Sequence, residues 1–232
     1  MIKQLVVNGC SYMYNYADGG GHWDLALRLG IPKSESLAVM GSCNSRIIRT
    51  TLKHSYATTM PTLYVLGITF ISRSEIAAMR EEQDFEGRWR SLQSVPFSDD
   101  WQFPWTDKDT KNFIDLNLKL QSYNFIDRLE DLMYRLLSLV RDLESRGHRV
   151  IMYQQADDIY QELLDHPKLV LFKNNPAIID GLNWRAVAWQ INQGAGVLED
   201  KNIPYEMQHI APGEHKWLNR HLHEHIKNNN IL

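Results

Sequence analysis

The apolar positions of this chain fall into two rhythms. Gln4-Leu5-Val6-Val7, Thr62-Leu63-Tyr64-Val65-Leu66-Gly67 and Arg149-Val150-Ile151-Met152-Tyr153 are short runs rich in β-branched residues, the mark of strands buried on both faces. Between them the spacing turns helical: Trp23, Leu25, Ala26 and Leu29 share a face over 22–29, Ile47, Ile48 and Leu52 over 46–56, and a long series from Leu116 to Leu143 over 113–146. Gly30 and Gly147 stand where the first and third of these helices would stop. The polar stretch from Tyr12 to Gly21 reads as a flexible approach, and a short strand is expected over 36–39. Asn44 or Ser45 is placed to cap the second helix.

Strand, long helix and strand in succession make a parallel crossover unit, so the class is α/β. The alternation breaks over 76–112, where Glu81-Glu82-Gln83-Asp84 gives way to Trp89, Trp101, Phe103 and Trp105 around Pro96 and Pro104. This stretch reads as an insertion, or a lid over the site, in one domain spanning 1–232. Further on, short helices are expected over 157–165 and 184–192, a last strand at Ile203-Pro204-Tyr205-Glu206 and a terminal helix over 213–227. Lys168-Leu169-Val170-Leu171-Phe172 fits a strand and a packed loop equally well.

Composition changes this picture little. Charged residues make up 23% of 232 positions, ordinary for a folded domain and against disorder. The net charge is −3 with lysine and arginine scattered, so no basic stripe marks a nucleic-acid partner. No apolar run reaches the roughly 18 residues of a membrane span and the N-terminus leads straight into a strand, so a soluble cytoplasmic protein is expected, with no membrane partner. Cys10 and Cys43 read as small reduced side chains packed under loops.

The candidate chemistry begins at Val6-Val7-Asn8-Gly9-Cys10-Ser11-Tyr12, where Ser11 follows the C-terminal end of the first strand. That edge of an open α/β sheet is where ligands bind. Gly41 in Met40-Gly41-Ser42-Cys43-Asn44 precedes a helix N-terminus, a pairing that offers backbone donors to an oxyanion. Near the C-terminus, Glu206-Met207-Gln208-His209 sets a carboxylate three residues before a histidine. Glu206 can then fix the His209 tautomer and stabilise its imidazolium, and His209 can activate Ser11 for acyl transfer.

These residues resemble the GDSL or SGNH hydrolases. Gly9-Cys10-Ser11 matches the nucleophile signature, Trp23 to Gly30 the tryptophan-and-helix pattern behind it, Gly41 the oxyanion glycine, and Glu206, His209, Pro212 and His215 the last block. The resemblance covers both ends and the third strand, and leaves the insertion outside. It implies a three-layer α/β/α sandwich with a flavodoxin-like parallel sheet of about five strands. It also implies a serine esterase, acting on carboxylic esters and in a narrower form on carbohydrate O-acyl groups, that needs no metal or organic cofactor. Two positions depart from the pattern. Thr69 in Gly67-Ile68-Thr69 stands where the family has an oxyanion-donating asparagine, a role Asn44 can take, and Glu206 stands for the usual aspartate.

Arg73 and Glu75 leave the third strand on the same edge and are candidate substrate contacts, as are Trp101 and Trp105. A solvated ion pair and aromatic packing of the insertion are the plainer readings of the same residues. His215, His221, His223 and His225, of which His221 and His225 are one turn apart, have no supporting cysteine or acidic ligand at metal spacing except Glu224 and read as a solvated helix face. An acyltransferase with the same triad and a non-catalytic binding or structural protein on the same fold are the alternatives to a hydrolase.

Overall fold

The computed structural model describes residues 1–39, 42–69, 74–77, 89–92, 125–154, 178–183 and 216–232, with single positions at 112, 116 and 119. Side chains at 11, 12, 15, 74–77, 89–92, 125, 126, 154, 178–183 and 217 lie outside that description. The segments 157–165, 168–172, 184–192 and 203–206 also fall outside it.

Strand β1 (Gln4–Asn8) is buried at all five positions and β3 (Thr62–Ile68) at all seven, as expected of central strands covered on both faces. They pair in parallel with Asn8 opposite Leu66. β2 (Lys33–Ser36) joins the outer side of β1, and β6 (Arg149–Gln154) and β7 (Ile178–Asn183) extend the sheet beyond β3. The order β2-β1-β3-β6-β7 is a five-stranded parallel sheet of flavodoxin-like order among the described residues.

Alternation along the strands sends neighbouring side chains to opposite faces. Leu5, Val7, Leu63 and Val65 meet Met13 and Tyr16 of helix α1 (Ser11–Asp18), Leu25 of α2 (Gly21–Leu29), and Leu218, Leu222 and Ile226 of the C-terminal helix α5 (Lys216–Asn228). Val6, Tyr64 and Leu66 meet Ile47 and Ile48 of α3 (Asn44–Ala57) and Leu129, Leu132, Leu136 and Leu143 of α4 (Phe125–Ser145). The result is a three-layer α/β/α sandwich with one apolar core on each side of the sheet.

Both stop glycines have left-handed backbone, Gly30 at φ 67° and Gly147 at φ 79°, a conformation that costs other residues a Cβ clash. Ile31 N then reaches Ala26 O and His148 N reaches Leu143 O, closing the two helix ends.

Several expectations need correction. The polar approach at 12–21 is mostly α1, which buries Met13, Tyr16 and Ala17; its hydrophobic face is too narrow to read from pattern alone. The second strand is the polar Lys-Ser-Glu-Ser of β2, ahead of 36–39, because an edge strand needs little apolar surface. Leu37 N and Val39 N still bond Val7 O and Gly9 O. Trp23 is exposed, and α2 buries Gly21, His22, Leu25 and Ala26 instead. Leu116 is also exposed. A β-hairpin pair was not expected at the insertion, where β4 (Ser74–Ala77) runs antiparallel to β5 (Trp89–Leu92), and β7 carries no strand signal beyond Ile178-Ile179.

Candidate active site

Asn8, the last residue of β1, is fully buried and sets the geometry of the loop behind it. Its Nδ2 donates to Ile47 O at 3.1 Å, Thr50 Oγ1 at 2.8 Å and Thr51 Oγ1 at 2.9 Å, fastening the strand end to α3. Its Oδ1 accepts from Gly9 N at 2.9 Å. The chain then turns into α1, whose first ladder bond runs from Tyr14 N to Cys10 O at 2.9 Å. Ser11 is the first residue of that helix. Its N–H precedes the ladder, and the helix dipole favours negative charge there.

The second loop is tied to the first. Leu37 N donates to Val7 O at 2.8 Å and Val39 N to Gly9 O at 3.3 Å, continuing the β2–β1 pairing past the sheet edge. Val39 O accepts from both Ser42 N, at 3.2 Å, and Ser42 Oγ, at 2.7 Å. Cys43 caps α3 with its thiol, which accepts from Arg46 N at 3.5 Å, so neither Asn44 nor Ser45 takes the expected capping role. The reason is Asn44's second engagement: Nδ2 donates to Thr69 O and Oδ1 accepts from Thr69 N, each at 2.9 Å. A carboxamide thus imitates a strand neighbour for the residue just beyond β3, and leaves a second Nδ2 hydrogen outside that pair.

The backbone of Ser11 thus follows β1 at this edge, and just beyond the neighbouring β3 the fully buried Thr69 is held by the side chain of Asn44. Gly41, Arg73, Trp101, Trp105, Glu206 and His209 lie outside the described residues, as does the side chain of Glu75, whose backbone is in β4. Cys10 and Cys43 are both buried and form no disulfide.

The C-terminal helix is anchored next to this edge's first helix. Tyr16 Oη lies 2.6 Å from Asn219 Oδ1 and 2.9 Å from Gly21 O, and Asn219 Nδ2 donates to Gly21 O and to Asp24 Oδ2. Burial pushes the Tyr16 phenol well above its ordinary range, so it remains a donor. The hydrogen bond from Arg28 holds the Asp24 carboxyl below its ordinary value. Among the described residues no group of three histidine, cysteine or acidic side chains is assembled to hold a metal; His221 is exposed and His225 half-buried on α5. No helix among them is long and apolar enough to cross a membrane.

Sequence reasoning missed the hydrogen bonds that Asn8, Ser42 and Arg46 make to neighbouring backbone. A buried polar residue ending an apolar strand was the available signal for Asn8; the partners of the other two follow only from the fold.

No protein-family model matches this chain, and no curated protein does. Among solved structures it is similar to one from Bacteroides fragilis described as "a putative acylhydrolase", with TM-score 0.43 and 11% identity over 98% of this chain and 88% of that one.

Proposed function

We propose that this protein is a serine hydrolase of the SGNH or GDSL type acting on carboxylic esters. The observation that carries this is the placement of Ser11 as the first residue of α1, directly behind β1, which is flanked by β2 and β3. The connections from β1 and β3 leave toward opposite faces there, which makes this edge a topological switch point where α/β sheets bind ligands.

In this reading Ser11 Oγ attacks the ester carbonyl while His209 takes its proton, with Glu206 orienting the ring. The N–H groups of Ser11 and Gly41 hold the oxyanion, joined by the second Nδ2 hydrogen of Asn44 or by Thr69. His209 returns the proton to the leaving alcohol, and water then releases the acyl group by the same route. The narrower form of the substrate is a carbohydrate O-acyl ester, with Trp101 and Trp105 as stacking faces and Arg73 and Glu75 as polar contacts.

A specific observation favours the non-catalytic alternative: Thr69, at the usual asparagine position, is fully buried and its N–H is engaged by Asn44. Fluorophosphonate labelling of the wild type and Ser11→Ala separates the two. The hydrolase requires labelling that disappears in the variant, and absence of Ser11-dependent labelling contradicts it.

A further inference from the structure

Arg46 is buried in the first turn of α3, 8% exposed, and its side chain runs back under the second loop. Nη1 donates to Leu37 O at 3.2 Å and to Ser42 Oγ at 3.0 Å. Ser42 Oγ passes its own hydrogen to Val39 O at 2.7 Å, and Val39 N donates to Gly9 O at 3.3 Å. On the other side, Gly9 N donates to Asn8 Oδ1, Asn8 Nδ2 to Thr50 Oγ1, and Thr50 Oγ1 to Arg46 O at 2.9 Å. The bonds form a closed circuit. It leaves the Gly9 peptide region in both directions and meets at Arg46.

Two features give the circuit a functional sense. Val39 and Ser42, the residues it clamps, bracket Gly41 in the chain, and Gly9 stands two residues before Ser11. A hydrogen bond to a charged donor is roughly twice as strong as a neutral one, and a planar guanidinium serves two acceptors at fixed geometry. We infer that Arg46 is a positioning residue for the oxyanion side of the site, setting Leu37, Val39 and Ser42 against the Gly9-Cys10 turn ahead of Ser11; the inference rests on the hydrolase function proposed above.

In this circuit the guanidinium reaches the reaction through Ser42 and Val39. Its loss should therefore slow the chemical step, because oxyanion donors act only when aimed at the developing charge. It should leave probe binding and the ionisation of the proposed base alone.

The test uses a fluorophosphonate probe on the full chain, comparing wild type, Ser42→Ala, Arg46→Met and Arg46→Lys. For each, the limiting labelling rate at Ser11, the half-saturating probe concentration and the pH midpoint are measured well below the melting temperature. The limiting rate should fall roughly tenfold in Ser42→Ala and about 10²-fold in Arg46→Met. Arg46→Lys should recover part of the loss, and the half-saturating concentration and pH midpoint should not move. Should Arg46→Met fail to fold, Ser42→Ala decides. Variants that melt earlier yet label at the wild-type rate while folded overturn the positioning role and leave the hydrolase standing. A wild type that never labels at Ser11 overturns both.

Discussion

The two halves of the sheet use polar side chains in opposite ways. Toward the strand starts, polar side chains mostly satisfy one another. Gln4 Nε2 donates to Glu35 Oε2 at 2.8 Å, Glu35 Oε1 lies 2.7 Å from His54 Nε2, and His54 Nδ1 lies 2.8 Å from Tyr64 Oη. Because a carboxylate only accepts, the His54–Glu35 contact requires a proton on Nε2. His148 completes the cluster, edge-on to the Tyr64 ring and accepting from Thr62 N at 3.2 Å. At the strand ends, Asn8, Asn44 and Arg46 all bind main chain as well as, or instead of, other side chains. The first arrangement ties the C-terminal part of α3 to the sheet; the second ties its N-terminal half to β1 and fixes the loops there. Substitutions in the first should therefore cost stability alone, and those in the second should also cost chemistry.

The sharpest way to break the contrast is Asn8→Ala. It strips a buried site of four hydrogen bonds and leaves Thr50, Thr51 and Gly9 short of a partner, so denaturant unfolding should show a loss of about 3 kcal/mol. Asn44→Ala leaves both backbone groups of Thr69 without that carboxamide and should cost about 2 kcal/mol, with Ser11 labelling slowed at least tenfold in the folded protein. His54→Ala, at the other end of the same helix, should cost about 1–2 kcal/mol yet leave labelling unchanged. Equal slowing by His54→Ala and Asn44→Ala would erase the distinction between the two halves.

A gentler probe is pH. Burial first, and the nearby Arg146 charge second, hold the His148 imidazole below its ordinary value of 6.5. The unfolded chain then takes up a proton below that pH which the folded protein refuses. Stability is complete above pH 6.5 and declines as pH falls toward the depressed folded value. His22, also lowered by burial, adds a share. Unfolding curves across this window should flatten in part in His148→Gln, whereas an unchanged slope would assign the dependence elsewhere. Smallest of all, Trp23→Ser on the exposed face of α2 should shift stability by no more than about 0.5 kcal/mol.

What could be read from the chain alone follows the range of the interaction. β1, β3, β6, the body of α3 and the glycine stops are local patterns, and they stand where the spacing put them. β2 slipped because an edge strand with one neighbour tolerates Lys-Ser-Glu-Ser, and α1 was hidden because its face of Met13, Tyr16 and Ala17 is narrow and stands among polar residues in the sequence. The position of Ser11 behind the first strand was legible for the same local reason. The Asn44–Thr69 pair spans 25 residues and the Asn8 contacts span 39 to 43, so no window of sequence displays them. Side-chain amides gave no hint of their partners before the strands were in register.

The most direct measurement is peptide mapping of the fluorophosphonate adduct in wild type, His54→Ala and His209→Gln. A hydrolase at the strand-end edge predicts the adduct on Ser11 in the first two proteins and its loss in the third. An adduct on another residue, or one on Ser11 that forms equally fast without His209, would contradict it.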